Sequence, residues 1–313
     1  MDLNSQKSNL ERAMRACLEV FSHEPEQLRP RKEDGTPGGL IQLDSDRAVV
    51  LVPDLHGRFK RVEELLSWRF EGVSLIQLLD QGQINLIFCG DFVHAEARAI
   101  QRWKDAQVEY ENGFETHEAM DQEMEENIAT WIQLASLKSK YRAHVHLLKG
   151  NHENIMDVAQ DPNRNFRKFA FESKMTMTWC QKFLGAELVD LIDQFERSLP
   201  LIVRGENWVT SHAQPDRVYG LGELIEADPK VAFALTWTRQ GQAANRAATG
   251  TMENLLGQEG VWFAGHSAIR TRYQWNEEES LLLFHNPDEF SVIHLTGDPS
   301  FDPEVNVITL PKP

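Results

Sequence analysis

Hydrophobic and polar positions follow two rhythms along the chain. Over residues 4–22, Leu10, Met14, Cys17, Leu18 and Phe21 recur at helical spacing, which predicts an amphipathic helix. The stretch PRKEDGTPGG at 30–39 then reads as a linker, so residues 1–40 are expected to be an appendage to a domain at 41–313. From residue 48 short apolar, partly β-branched runs each end in Asp, Asn or His: AVVLVPD, INLIFCGD, HVHLLKGN, NWVTSH and VWFAGH. Runs apolar at nearly every position suit strands buried on both faces, and the long connections between them predict an α/β architecture. SLLLFHN at 280–286 and FSVIHLT at 290–296 read as two more strands, expected to pair as antiparallel neighbours in a mixed sheet or one of two packed sheets.

A long insertion at about 98–140 separates the second and third runs. Residues 105–126 hold nine acidic side chains and no Lys or Arg. The segment continues into a helix with Met120, Met124, Ile128, Trp131 and Ala135 on one face and Thr116 as the expected N-cap. Its acidic side reads most simply as a solvated face; the alternative is a cap that recruits basic partners.

Composition narrows the function classes. With 32 Lys and Arg against 48 Asp and Glu, the formal charge is −16 and no basic run stands out, which argues against a nucleic-acid partner. No stretch approaches the roughly 18 apolar residues of a membrane span, and charges interrupt the amino terminus, unlike a signal peptide. Cys17, Cys89 and Cys180 lack metal-type spacing and fit a reducing, cytoplasmic setting, with Cys89 a core residue.

The strand ends carry the candidate chemistry. They present Asp54 and His56 in VPDLHGRF, Asp91 and His94 in GDFVH, Asn151 and His152 in GNHE, His212 in VTSHA and His266 in WFAGHSA. One such residue is ordinarily a turn former or a satisfied histidine, but five strands ending alike call for a common cause, and ligands collect beyond the carboxyl ends of strands. Two Asp, one Asn and three His make six oxygen or nitrogen donors without sulfur, a set that suits Mn, Fe or Zn. Six donors exceed the needs of one open site, so the count predicts two divalent ions about 3.5–4 Å apart sharing a carboxylate. Two such cations, less two Asp and a bridging hydroxide, leave a small positive charge for a phosphate. Asn151 holds metal without reducing that charge, and His152 is its catalytic neighbour.

DLHG, GDxxH, GNHE, SHA and GH in this order resemble the calcineurin-like metallophosphoesterase superfamily, nearest its bacterial and phage phosphoprotein phosphatases. FERSLPLIV and Trp237-Thr238-Arg239 resemble further blocks of that branch, and the resemblance covers roughly residues 48–290. It implies two packed mixed β-sheets flanked by helices in four layers. It implies that Asp54, His56 and Asp91 hold one metal and that Asp91 bridges to a second held by Asn151, His212 and His266. It also implies that a metal-bridging hydroxide attacks the phosphate monoester, with Asn151 and Arg239 contacting phosphate and His152 as general acid. Mn is the first choice of metal, with Fe, Zn or Ni compatible.

Two departures stand out. Where the branch has G-D-x-V-D-R-G this chain has GDFVHAE, so His94 replaces the Asp that supports the catalytic His, Ala95 replaces a phosphate-binding Arg, and Glu96 replaces Gly. Glu96 is then the expected support for His152, and Arg98 the expected substitute guanidinium. Ala268 occupies a position where many superfamily members outside this branch carry another metal-binding His. The expected substrate is a phosphorylated protein or small molecule. The alternatives are a dinucleoside polyphosphate hydrolase and, in another class, a metal-binding scaffold with impaired catalysis.

Overall fold

All five runs fold as strands. The computed structural model describes residues 3–43, 47–70, 72–156, 166–296 and 300–311. In chain order it begins with helix α1 (Leu3–Ser22), strands β1 (Leu40–Gln42) and β2 (Ala48–Val52), helix α2 (Phe59–Ser67), the β3–β4 hairpin (Arg69–Phe70, Val73–Ser74) and helix α3 (Leu75–Asp80). Next come β5 (Ile84–Phe88), helices α4 (Ile100–Glu111) and α5 (Glu118–Lys140), β6 (Val145–Leu147), and helices at Glu172–Trp179 and Ala186–Ser198. Strands β7 (Ile202–Arg204) and β8 (Trp208–Ser211) precede helices at Pro229–Trp237 and Ala247–Leu256, and β9 (Val261–Ala264), β10 (Gln274–Asn276), β11 (Leu281–Leu283), β12 (Phe290–Leu295) and β13 (Val307–Leu310) complete the order.

The strands form two mixed sheets, ordered β13-β12-β2-β5-β6 and β1-β7-β8-β9-β11-β10. Side-chain alternation along each strand explains the layering. Val49 and Leu51 of β2 enter a core that also contains Val203, Phe263 and Leu282 of the other sheet, so this core lies between the sheets. Val50 and Val52 point the other way, into a core shared with α1 and α5. The opposite faces of β9 and β11 pack on the helices at 229–237 and 247–256. Two helical layers thus enclose two sheets, the four-layer α/β arrangement expected.

One pairing expectation fails. β11 and β12 are not neighbours: β11 lies beside β9 and β10, whereas β12 pairs with β2 and β13. Both strands are buried almost throughout, so each takes a place with two flanking strands instead of forming a half-exposed hairpin. Residues 284–289 carry the chain across from one sheet to the other.

α1 packs against α5 and the 186–198 helix with Leu10, Met14, Cys17 and Phe21 buried. A buried charge group fastens the following segment. Glu24 accepts from Arg29 Nη1 at 2.9 Å and Lys138 Nζ at 2.7 Å, while Arg29 also donates to the carbonyls of Gly38 and Ser198. Each buried charge is thereby paired and hydrogen-bonded, as its removal from water requires.

Candidate metal centre

The two sheets bring their strand ends together at one place. β2, β5 and β6 run parallel, and so do β8 and β9, so the loops carrying Asp54–His56, Asp91–His94, Asn151–His152, His212 and His266 meet. Close backbone approach makes this possible. A Cβ on Gly90 would lie 2.6 Å from the Gly150 nitrogen, so these two glycines let the second and third loops touch. His56, Asp91, His94 and His266 have φ between 47° and 66°, half of the non-glycine positive-φ residues among those described. Asp and His tolerate this left-handed region better than most, and such strain concentrates at functional sites.

Glu153 braces the loops. Its carboxylate, fully buried, accepts from the backbone N–H groups of Asp91, Phe92 and Gly150, each at 2.8 Å. From above, α5 does the same: Asn127 accepts from His94 N at 2.9 Å and Glu123 from Ala95 N at 2.8 Å. The acidic face expected in solvent is therefore partly inside, with Glu123 buried and ion-paired to Arg102, and Glu126 bound by Arg98 and Arg102. The expected Thr116 cap is not used. His117 is the N-cap, and Glu109 from the preceding helix accepts from Ala119 N and Met120 N instead.

Asp91 lies at the middle of the cluster. Its Oδ2 is 3.4 Å from His212 Nε2, 3.8 Å from His56 Nε2 and 3.7 Å from His152 Nε2, and its Oδ1 accepts from His152 N. Asp54 accepts from His266 N and lies 3.9 Å from His56 Nε2. Burial pushes the Asp54 carboxyl up to about 6 and Asp91 well above its ordinary value.

The histidines fix their own tautomers. Carbonyl oxygens only accept, so His56 Nδ1 donates to His94 O, His212 Nδ1 to Cys89 O, and His266 Nε2 to Trp237 O, at 2.9, 2.9 and 3.2 Å. The remaining ring nitrogens carry lone pairs into the cluster. Burial keeps them unprotonated near neutral pH: His56 is lowered to about 3, His266 to about 4 and His212 well below its usual value. His212 Nε2, His266 Nδ1 and Asn151 Oδ1 then stand 2.9–3.2 Å from one another as three acceptors with no hydrogen among them. A divalent cation satisfies such a convergence, so the residues fit the metals that the donor count predicts.

His152 stacks on Phe166 with ring centroids 4.1 Å apart. Glu96, expected to support it, turns instead toward His56, His285 and Arg58. His94 takes that place, its Nδ1 3.3 Å from His152 Nδ1. Arg239 reaches the cleft, whose cavity of about 400 Å³ is also lined by Phe166, Arg167, Lys168, Phe169 and Trp237. Arg98 does not. It donates to His56 O and pairs with Glu126 in a neighbouring cleft, because its side chain is drawn to the acidic face of α5.

His285 is a residue the sequence reading passed over. It is buried beside Asp54, and the potential ligand atoms of Asp54, His56 and His285 all lie within 4.8 Å of one another.

Comparison with known proteins decides the family: the calcineurin-like phosphoesterase family model matches residues 48–293. The chain belongs to that family. No curated protein matches the chain in sequence. Among solved structures, a protein serine/threonine phosphatase from Saccharomyces cerevisiae is similar over 98% of this chain and 91% of its own, with TM-score 0.60 and 15% identity. The cold-active protein-tyrosine phosphatase of a psychrophilic Shewanella species is similar over 94% and 84%, with TM-score 0.48 and 14% identity. At 15% identity the likeness to the yeast phosphatase concerns the fold, and it agrees with the paired mixed sheets of this calcineurin-like phosphoesterase.

Proposed function

We propose that this phosphoesterase hydrolyses phosphate monoesters using two divalent metal ions, Mn foremost. Asp54, His56 and Asp91 hold one, and Asp91, Asn151, His212 and His266 hold the other. The convergence of unprotonated acceptors on Asp91 and Asn151 carries this reading. When bound, the metals supply a nucleophile at neutral pH and neutralise charge on the phosphoryl oxygens.

The chain's own residues do the rest. Asn151 and Arg239 orient the phosphate, Arg239 through its planar fork. His152 Nε2 faces the cleft beside Asp91 and gives a proton to the departing alcohol. Burial and the neighbouring His56 and His94 hold the free imidazole well below its ordinary pKa, so the bound phosphate dianion is the counter-charge that raises it, and the ring takes from solvent the proton it passes to the leaving alcohol. His94 steadies the ring from the Nδ1 side. The basic and aromatic rim at Phe166, Arg167, Lys168 and Trp237 favours an anionic monoester with a flat or side-chain-sized alcohol.

The test is hydrolysis of a chromogenic aryl phosphate by chelator-stripped protein with Mn, Fe, Zn, Ni or Mg restored singly. Activity returning with a transition metal supports the reading, and phosphopeptides compared with dinucleoside polyphosphates then place the substrate. Two bound ions without turnover of any of these esters would favour a scaffold.

A further inference from the structure

The altered GDFVHAE block and the unassigned His285 touch each other. His285 follows β11 in the sheet that also supplies His212 and His266. Its side chain is nearly inaccessible, so whatever it binds is inside the site.

We propose that His285 is a fourth protein ligand of the first metal, beside Asp54, His56 and Asp91, and that Glu96 holds it in place. This rests on the two-metal reading of the site. His285 Nδ1 is 3.8 Å from Asp54 Oδ2, too long for a hydrogen bond yet equal to the spacings of two ligands already proposed for that metal. His56 Nε2 stands 3.9 Å from Asp54 Oδ2 and 3.8 Å from Asp91 Oδ2. Ligand atoms about 2.1 Å from one ion can lie that far apart.

The other ring nitrogen repeats the pattern of the three histidines above. His285 Nε2 lies 3.4–3.5 Å from the Glu96 carboxylate, which leaves Nδ1 as the lone-pair atom facing Asp54. A carboxylate behind a histidine is the usual means of fixing a ligand's tautomer and raising its basicity. Arg58 completes the support, with Nη2 3.7 Å from Glu96 Oε2 and donating to Pro287 O at 2.9 Å, which ties the loop after His285 to the same carboxylate.

Two sequence departures then have one explanation. Ala268 stands where many superfamily members outside this branch place an extra metal-binding His, and Glu96 stands where the related phosphatases have Gly. This chain supplies its extra imidazole from the end of β11, the strand beside β9 in the sheet, and Glu96 is the residue that aims it.

The experiment is a calorimetric titration of full-length, chelator-stripped protein with Co²⁺, read also by the visible spectrum, for wild type, His285→Ala and Glu96→Gln. Wild type is expected to take up two ions. His285→Ala should weaken one site by at least about 100-fold and alter its visible band, with Glu96→Gln weakening the same site by about 10–100-fold. Two sites of wild-type affinity and spectrum in His285→Ala would overturn the proposal while leaving the two-metal reading intact. Wild-type protein that binds no Co²⁺ would overturn both. Should His285→Ala not fold, Glu96→Gln decides: a weakened first site supports the proposal and unchanged sites refute it.

Discussion

At the scale of single residues, the centre separates groups that meet the substrate from groups that hold them. In the proposed mechanism His152 belongs to the first kind. Its replacement by Ala should lower kcat by about 10²–10⁴-fold on an alkyl phosphate and by less on an aryl phosphate, whose leaving group needs little protonation. Steady-state kinetics on the two esters checks this, and equal losses would contradict the acid role. Glu153 belongs to the second kind. Three backbone N–H groups from two loops end on its one carboxylate. Glu153→Ala orphans all three and should cost about 3 kcal/mol or more of stability, measured by urea unfolding of the metal-free protein.

At the scale of elements, α5 acts as a clamp on the loop after β5, because Glu123 and Asn127 receive the N–H groups of Ala95 and His94. Removing the Glu123 side chain leaves both Ala95 N and the partly buried Arg102 short of a partner. Glu123→Ala should therefore lower the urea midpoint and cut kcat by up to about 100-fold through displacement of the loop, with thermal melts and kinetics as the measurements. The sequence made the strands legible, since AVVLV, INLIF and VWFA are apolar at nearly every position and lead into polar side chains. It could not address β11 and β12 to their sheets, because two runs buried on both faces look alike. Nor could it show Glu123 inside, since its partner Arg102 sits on another helix and a run of acids reads as a wetted face. His285 was within reach: SLLLFHN is an apolar run that closes on a histidine, as NWVTSH and VWFAGH do among the five strands that gave the site. Glu96 was legible as a departure but not as a partner of His285, a contact made 189 residues away.

At the scale of the whole molecule, folding gathers ionisable groups whose charged forms are costly to bury, and metal binding offsets that cost. Above about pH 6.5 the imidazoles of the unfolded chain give up their protons, while in the folded metal-free chain His285, pulled down by burial but raised further by Asp54 and Glu96, is held above its ordinary value, so His285 and the buried carboxyls set the slope. Burial raises Glu153 to about 7 and Asp91 and Glu196 well above their ordinary values. The native metal-free protein thus keeps protons that the unfolded chain has lost, and its stability falls as pH rises through these values. Calorimetry of chelated protein should give a lower Tm at pH 8 than at pH 6.5, and added Mn²⁺ should raise Tm more at pH 8. No helix among the described residues is long and apolar enough to cross a membrane.

The central claim is that Asp91 joins two metal ions in a hydrolytic centre. Metal content and aryl phosphatase activity measured together on wild type and Asp91→Asn test it most directly. Wild type should bind two ions per chain, with fewer ions bound and turnover reduced by about 10³-fold or more in the variant, roughly what loss of a main electrostatic contributor removes. Wild-type turnover in Asp91→Asn, or undiminished turnover after complete removal of metal, would contradict it.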